Sequence, residues 1–335
     1  MSARLLRRFA DGLRVTGSML PVPFRVAPLC LILAVAVFAA TAPRFLSLGN
    51  AANIGAQVWV LALLAIGQMF VLATRGFDIS VGAVAALSSV CAAMACNGWG
   101  LPGLAAGALA GLLCGLVNGA LVGTLGLQPV VATLGSLIAV RGLSLLITGD
   151  GQVVPLDAAG AVTRLGFEPM AVLPAASWAA LVLAVGAALL VGRSLAGRRI
   201  LMAGSNPEAV ALVGVDTRRV QLWAYGLCGL FAGLAGVLMT VRAGSGLPTE
   251  GAGMELQAIA AAVIGGTALS GGIASVAAVV TGAAFIQVLL TGLNLQGVSP
   301  FVAQIAVGVV IIASGLLETL LRSLPSFPSQ SRTRT

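Results

Sequence analysis

Two long stretches of this chain carry no charged side chain. Residues 79–140 and residues 256–317 are each 62 residues long and contain no Asp, Glu, Lys or Arg. A water-soluble domain is not built from such stretches, because about a quarter of its residues are normally charged. Each stretch is long enough for two or three membrane crossings, since one helical crossing takes about 20 apolar residues. The sequence therefore predicts an all-α, polytopic integral membrane protein.

The composition of the whole chain limits its chemistry. Only 8% of the 335 residues are charged, 59% are hydrophobic, and all 18 basic side chains are arginine. Without lysine the chain has no Walker A lysine and no Schiff-base lysine. Without histidine it has neither an imidazole metal ligand nor a Ser-His-Asp triad. We therefore expect a chain that is not an enzyme, binds no cofactor or metal, and cannot hydrolyse ATP through its own P-loop.

The few charges divide the chain into apolar segments. A charge in the hydrocarbon core is costly, so charged residues mark where the chain leaves the membrane. We expect one transmembrane domain of ten spans in two related halves of five, since each half contains one uncharged stretch. A segment at 1–26 precedes the first span, which we expect to be uncleaved, and a tail at 321–335 follows the last. The predicted spans are 27–43, 52–74, 80–97, 102–124, 130–148, 171–192, 220–241, 254–270, 274–293 and 300–320.

The arginines set the predicted orientation. With the N terminus in the cytoplasm, 14 arginines fall on the cytoplasmic side, while Arg44, Arg164 and Arg242 fall outside. Arg141 lies within a span, and five of the ten acidic residues, including Glu255, fall outside. This distribution follows the positive-inside rule and explains the net charge without nucleic-acid binding. Both termini are therefore predicted to be cytoplasmic.

The longest predicted cytoplasmic loop, residues 193–219, contains the signals of a short helix. Asn206 is a favourable N-cap, Pro207 suits the first helical position, and Glu208 complements the helix dipole. Gly214 can end the helix in the left-handed conformation. Both an ordinary connecting loop and a docking helix for a soluble partner fit this pattern.

A charged, glycine-containing break separates the second and third predicted spans. Asp78 can cap the following helix through its side chain or form an ion pair with Arg75. A capped turn, a gate and a contact surface for a partner are compatible interpretations of this break. Its candidate residues are Arg75, Gly76, Asp78 and Ser80.

A second glycine-rich break, at residues 265–272, interrupts the second uncharged stretch. A broken helix is tolerated in a membrane only where protein or a cavity satisfies its backbone. The exposed amides could face a solute pathway or the cytoplasmic side, and a plain tight turn also explains the pattern. Its candidate residues are Gly265, Gly266, Thr267, Gly271 and Gly272.

Glycines recur at every fourth position along the fourth predicted span. Each step turns the helix by about 400°, so the glycines drift by about 40° per step and form a spiral groove. Small residues let helices approach closely in lipid. The spiral predicts a core helix packed against two neighbours, and a sliding surface is the alternative. The glycines are Gly103, Gly107, Gly111, Gly115, Gly119 and Gly123.

Uncharged polar residues inside the spans are candidates for a solute pathway. Asn118, beside the glycine groove, is the best of them, although most buried amides only bond between helices. An outer loop carries candidates for contact with a soluble binding partner, with simple solvation as the alternative. These are Asp150, Gln152, Asp157, Arg164 and Glu168.

Three motifs together resemble one family of transporters. Residues 204–215 (GSNPEAVALVGV) resemble the coupling loop of bacterial ATP-binding-cassette (ABC) sugar importers of the ribose and xylose permease class. Residues 74–82 (TRGFDISVG) are similar to that family's GGIDLSVG signature, and residues 265–272 (GGTALSGG) are similar to its GGTSLxGG motif. Arg75 stands where that family usually has glycine.

The resemblance implies a permease subunit that imports a monosaccharide, a pentose or a hexose, across the bacterial inner membrane. It implies separate ATPase subunits that bind ATP and Mg, a periplasmic sugar-binding protein, and a second permease copy, with a homodimer expected. An ion-coupled secondary transporter of a small polar solute is the alternative, but the two uncharged stretches lack the acids and histidines that proton relays use. The residues implied for ATPase coupling are Gly204, Ser205, Asn206, Pro207, Glu208, Ala209 and Gly214.

Overall fold

The computed structural model describes residues 26–156, 161–167, 169–170 and 173–323, and these residues are mainly helical. Four two-residue strands join the loops: β1 (Val154–Pro155) pairs antiparallel with β4 (Ser245–Gly246), and β2 (Pro169–Met170) pairs antiparallel with β3 (Leu173–Pro174). The helices are α1 (Val26–Thr41), α2 (Leu48–Ala73), α3 (Val81–Trp99), α4 (Leu104–Gly119), α5 (Pro129–Ile147), α6 (Ala161–Phe167), α7 (Ala175–Arg193), α8 (Leu195–Ser205), α9 (Pro207–Leu212), α10 (Thr217–Ala243), α11 (Met254–Ile264), α12 (Val276–Leu295) and α13 (Pro300–Ser323).

Seven helical segments in the described part are long and apolar enough to cross a membrane. They coincide with predicted spans two to seven and nine, which confirms a polytopic all-α membrane protein. The helices at the other three predicted spans have shorter apolar stretches: α1, α11, and residues 300–313 of α13. The seven segments are Leu48–Ala73, Val81–Trp99, Leu101–Thr124, Pro129–Ile147, Ala175–Arg193, Thr217–Ala243 and Val276–Leu295.

The eighth predicted span is wrong in its extent. Its helix, α11, has 11 residues and stops at Ile264 instead of continuing to residue 270. Such a helix is about 16 Å long, whereas the hydrocarbon core is about 30 Å thick. Gly266 then takes a left-handed φ of 81°, which ends the helix. The glycine-rich break therefore removes the last six residues from this span.

An unwound segment, defined as residues 246–253 and beginning with the last residue of β4, precedes α11 and lies along α3. The amide of Leu247 donates to Ser89 Oγ at 3.2 Å. Further along, a Cβ added to Gly251 would lie only 2.4 Å from the carbonyl oxygen of Gly82. Because α3 begins at Val81, the segment follows this helix from its middle to its first turn.

The protein core is formed by α2, α3 and α10, which are the most buried of the seven long segments. Helix α10 packs against α2, α3 and α4, and α2 also packs against α11 and α12. Helices α5 and α7 lie at the periphery and expose apolar side chains such as Ile138 and Val182. Apolar exposure on this scale is expected where lipid, and not water, surrounds a protein.

The glycine spiral of α4 lies first against α3 and then against α10. A Cβ at Gly103 would lie 2.4 Å from the backbone of Ala95 in α3, and one at Gly111 would lie 2.4 Å from the Gly229 carbonyl oxygen in α10. At all six glycines of the spiral an added Cβ would come within 2.7 Å of a neighbouring backbone atom. The spiral thus brings the α4 backbone against two helices.

Candidate functional site

Three segments that are distant in the sequence meet in a three-segment junction, which we define as residues 73–75, 204–205 and 271–272. Arg75 Nε donates to the carbonyl oxygen of Gly204 at 2.5 Å, and its Nη2 donates to that of Ser205 at 2.8 Å. The amide of Gly272 donates to the Ala73 carbonyl oxygen at 3.0 Å. The junction therefore connects the three motifs on which the family resemblance rests, a contact that the sequence did not predict.

The junction satisfies helix ends. The last carbonyl groups of a helix have no partner inside that helix. Here α8 ends at Ser205, and the Arg75 guanidinium donates hydrogen bonds to two of its final carbonyl groups. The Gly272 amide donates in the same way to the Ala73 carbonyl group at the end of α2. A cation at a helix C terminus also interacts favourably with the helix dipole. Movement of α8 would therefore disturb α2 and the 265–272 break together.

Only glycine fits the centre of the junction. A Cβ at Gly204 would lie 1.7 Å from the Ala73 carbonyl oxygen and 2.7 Å from the Gly272 amide nitrogen. Gly271 and Gly272 have φ angles of 81° and 83°, in the region that favours glycine. The backbones of the three segments thus touch at Ala73, Gly204 and Gly272, and the Arg75 side chain lies beside Gly271.

Arg75 adopts a left-handed backbone conformation, with φ at 66°. A residue with a Cβ is strained there by about 1–2 kcal/mol, whereas glycine is not. The arginine has an advantage that glycine lacks, since its side chain forms the two bonds to α8. Arginine at residue 75 therefore gives up the backbone freedom of glycine and gains a cross-link to α8.

We predict that Arg75→Gly loosens α8 without weakening the rest of the fold. The substitution removes both bonds to α8 but also relieves the backbone strain at residue 75. Amide exchange at residues 202–206 is expected to accelerate about tenfold or more, as for the loss of about 1.4 kcal/mol. Hydrogen exchange read by mass spectrometry measures this directly.

Arg44→Gly is the matched control, because Arg44 also has a left-handed φ, of 64°, but lies outside the junction. It relieves the same kind of strain and should leave exchange at 202–206 unchanged. Unchanged exchange in Arg75→Gly as well would show that the cross-link does not hold α8.

A polar cluster, residues 78, 80, 118 and 136, connects the turn after α2 with α4 and α5; its members are buried except Ser136, which is half-buried. Asp78 Oδ1 accepts from the Ser80 amide at 2.8 Å and from Ser80 Oγ at 2.6 Å. Asn118 Nδ2 donates to Ser80 Oγ at 2.9 Å and to Asp78 Oδ2 at 3.4 Å, and its Oδ1 accepts from Ser136 Oγ. Neither role considered for Asp78 is seen: its carboxylate forms a local turn with Ser80 and no side chain caps the first turn of α3, while the Arg75 guanidinium bonds to α8.

Tyr225 fixes the same turn from α10, a role that sequence reasoning missed. Its hydroxyl donates to the Phe77 carbonyl oxygen at 3.0 Å, and its ring is fully buried. A Cβ at Gly76 would lie 2.7 Å from this hydroxyl, so glycine makes room for it. The available signal was that Tyr225 is the only tyrosine in an otherwise apolar span.

Most of the remaining 265–272 break is buried, whereas Leu269 and Ser270 are exposed. A Cβ at Gly265 would lie 2.7 Å from the Ala278 carbonyl oxygen in α12. The amide of Thr267 donates to the Ala262 carbonyl oxygen at 3.0 Å. The break thus closes α11 against α12 and leads into the junction at Gly271 and Gly272.

Glu255 is not in an outer loop, contrary to the sequence-based placement. It lies in the first turn of α11 and is buried, and its Oε1 accepts from the Gly253 amide at 3.1 Å. Its Oε2 lies 2.4 Å from the position of a Cβ on Gly82, and it has no hydrogen-bond partner within the described residues. The sequence-based placement failed because the unwound segment 246–253 carries the chain back along α3 before α11 begins.

Helix α9 has the predicted signals at both ends. Asn206 Oδ1 accepts from the Ala209 amide at 3.0 Å, and Gly214 ends the turn with φ at 80°. Glu208 lies exposed in the first turn. At the other end Leu212 and Val213 are 89% and 76% exposed. The helix therefore has an exposed apolar tip, Leu212 and Val213, at one end and the exposed charge of Glu208 at the other.

Comparisons with known proteins agree with the family that the three motifs predicted, a family of transport permeases. Residues 50–315 match the family described as branched-chain amino acid transport system / permease component. The chain belongs to this permease family. No solved structure gives a significant match.

Three relatives of this permease, all from Escherichia coli (strain K12), cover most of it. The ribose import permease protein RbsC is 33% identical over 296 residues, 87% of this chain and 92% of the relative. The L-arabinose transport system permease protein AraH is 33% identical over 292 residues, which are 86% of this chain and 87% of the relative. The D-allose transport system permease protein AlsC is 34% identical over 297 residues, which are 87% of this chain and 90% of the relative. The permease is thus a transport protein, and it aligns with nearly the whole length of each of these relatives.

Helix α8 is a second helix in the 193–219 segment of the permease, where the sequence predicted only one. Ser194 Oγ accepts from the Gly197 amide at 2.9 Å and caps α8. Gly197 fits against the Leu190 carbonyl oxygen, which lies 2.2 Å from an added Cβ. The sequence did not predict this helix because Arg198 and Arg199 favoured a loop. Helix α8 links the end of α7 to the junction.

The outer candidates of the permease are only partly described. Asp150 is exposed in the turn after α5, with φ at 64°, and Gln152 is exposed beside it. Arg164 is exposed on α6. Asp157 and Glu168 lie outside the described residues.

Proposed function

We propose that this permease is the membrane-spanning subunit of an ABC importer for a monosaccharide of the pentose or hexose class. The observation that carries the proposal is a capped helix with an exposed apolar tip, α9, tied through α8 to the three-segment junction. The sugar class is supported by relatives named for ribose, L-arabinose and D-allose. The comparisons give no such support to an ion-coupled transporter.

The proposed topology has ten spans, in two related halves of five, in the bacterial inner membrane. The ten apolar helices of the described chain support this number, with α11 completed by the unwound segment 246–253. The distribution of arginines supports a cytoplasmic location of both termini. This orientation places α8, α9 and the junction on the cytoplasmic side, where ATP is available.

We assign the coupling role to α9 and the junction. Since the chain has no lysine, the P-loop must be on a partner chain, which would bind ATP and Mg. The ATPase would close around α9 when ATP binds, and α8 would carry this movement to Arg75 and Gly272. From there it would reach the ends of α2 and the 265–272 break, opening the pathway inward as nucleotide is released.

Asn118 is the proposed pathway residue. A sugar is neutral and rich in hydroxyl groups, so amides and hydroxyls suit a transient path better than charges do. Asn118 bonds to Ser80 on one side and to Ser136 on the other. A passing sugar hydroxyl would exchange with one of these bonds when α4 and α5 move relative to the start of α3.

The remaining proposed partners are a second copy of the permease and a periplasmic sugar-binding protein. A homodimer is what the family resemblance implies, and the exposed apolar faces of the peripheral helices are available to a second copy as well as to lipid. The exposed Asp150, Gln152 and Arg164 support an outer contact with the binding protein. No nucleic acid is expected among the partners.

Uptake into cells tests the substrate class. Cells lacking their own sugar importers would produce the permease with the ATPase and binding protein of its own organism. Uptake of radiolabelled ribose, L-arabinose, D-allose and L-leucine would then be measured separately. We expect uptake of at least one monosaccharide and none of leucine. Leucine uptake without sugar uptake would contradict the proposal.

We predict that Leu212→Asp weakens binding of the ATPase at least about tenfold. An apolar anchor that fills a cleft typically contributes more than 1 kcal/mol to binding, and Leu212 is the most exposed apolar side chain of α9. Co-purification from detergent and titration of ATPase onto immobilised permease measure the change. Leu195→Asp is the control, because Leu195 is also exposed and apolar but lies at the start of α8. Equal effects of both variants would refute docking at α9.

A further inference from the structure

A cavity of about 510 Å³ opens between α7, α8, the segment that follows α9 and the beginning of α10. Its floor is apolar, with Leu190, Ile200 and Leu227 among its lining residues. Its charged lining residues are Arg199, Arg219 and Asp216, and all three are exposed at its mouth. The cavity takes no part in the junction or the polar cluster, so the proposed transport mechanism leaves it unexplained.

The lining residues on α10 change character in a regular order. Arg219, Trp223 and Leu227 are four residues apart, so they lie on one face of the helix at intervals of about 6 Å. This face therefore passes from a cation through an amphipathic ring to an aliphatic side chain. The same order occurs at a membrane surface, where phosphate, interface and acyl chain follow one another, and tryptophan prefers the interface.

The charges at the mouth favour an anion. Arg219 Nε lies 3.2 Å from Asp216 Oδ2, and this pair is largely exposed, so Arg219 is only partly neutralised. Arg199 is exposed and has no ion pair within the described residues. Arg193, Arg198 and Arg218 lie close in the sequence and add to the positive field. Basic pockets between helices at a membrane surface are a recognised form of anionic-lipid site.

We propose that this cavity binds an anionic phospholipid such as phosphatidylglycerol. The phosphate lies between Arg199 and Arg219, the glycerol backbone lies beside Trp223, and an acyl chain follows Leu190 and Leu227. A protein partner does not fit this order, because Trp223 and Leu227 belong to a helix segment that crosses the membrane. Because Gly214 and Val215 also line the cavity, the bound lipid connects the segment after α9 to the bilayer.

Fluorescence of Trp223 tests the proposal in the intact chain. Trp59→Phe, Trp99→Phe and Trp178→Phe together leave Trp223 as the only tryptophan. The purified protein is titrated in mixed micelles with brominated phosphatidylglycerol or brominated phosphatidylcholine. We expect quenching at about tenfold lower mole fraction of phosphatidylglycerol, since each basic residue near a surface favours anionic lipid several-fold.

Neighbouring arginines provide a matched control. Arg199→Gln with Arg219→Gln should abolish the preference, whereas Arg198→Gln with Arg218→Gln should retain it, because those two side chains do not line the cavity. Native mass spectrometry of the unmodified chain, counting retained phosphatidylglycerol, gives a second readout that needs no tryptophan variant.

Three outcomes would overturn the proposal. Equal quenching by both lipids would show that Trp223 senses only bulk lipid. Competition by soluble glycerol phosphate at millimolar concentration would indicate a site for a free phosphate. Loss of quenching when the ATPase is added would indicate that the cavity is a protein contact.

Discussion

Gly111→Leu is expected to prevent the permease from folding to a stable state. The first added atom would already lie 2.4 Å from the Gly229 carbonyl oxygen and 2.5 Å from Gly233 Cα. Both are backbone atoms of α10, so no side chain can turn aside, and the two helices must separate. Overpacking of this kind costs about 3 kcal/mol, and lipid offers no hydrophobic force to bring the helices back together. The yield of monodisperse protein in detergent and its thermal unfolding midpoint measure the loss.

Gly186→Leu is the matched control for this prediction. Gly186 lies in α7, and a Cβ added there would have no atom within 4 Å apart from its neighbours in the same helix. The same change of side chain should therefore be tolerated there. Normal yield, stability and transport for Gly111→Leu would show that α4 does not need its close contact with α10.

Gly204→Ala is expected to separate ATPase binding from transport. The new Cβ would lie 1.7 Å from the Ala73 carbonyl oxygen, so α8 must withdraw from α2 by more than an ångström. That movement breaks the bonds from Arg75 while α9, which starts two residues after α8 ends, keeps its own caps. We expect the ATPase to bind as before and sugar uptake to fall about tenfold or more, corresponding to 1–3 kcal/mol of strain.

Two further variants sharpen this result. Gly192→Ala adds the same methyl group at the end of α7, where no atom lies within 4 Å, and should leave uptake unchanged. Combining Gly204→Ala with Arg75→Gly should be little worse than Gly204→Ala alone, because both changes break the same contact. Additive losses, or normal uptake by Gly204→Ala, would contradict a coupling role for the junction.

The sequence predicted the membrane helices well because their signal is local. Hydropathy and the positions of 28 charged residues located the seven long spans to within a few residues. The caps of α9 were equally local, since Asn206, Pro207 and Gly214 act on neighbouring backbone groups. Features that depend on one turn of backbone can be predicted from one stretch of sequence.

The candidate site was harder to predict because its contacts are long-range. Arg75 and Gly204 are 129 residues apart, and nothing near either residue indicates that they touch. The unwound segment 246–253 has no hydropathy signal of its own, so Glu255 was placed in an outer loop. The bond from Tyr225 to Phe77 spans 148 residues. Folding brought together motifs that the sequence could only identify one by one.

Uptake into proteoliposomes most directly tests whether this permease is driven by a separate ATPase. The purified permease is reconstituted with the ATPase and the sugar-binding protein of its own organism, with the monosaccharide identified by the cell assay as the labelled solute. Each component, and ATP, is omitted in turn. We predict uptake only when all three proteins and ATP are present. Uptake that persists without the ATPase or without ATP, and that follows an imposed sodium or proton gradient, would contradict the account.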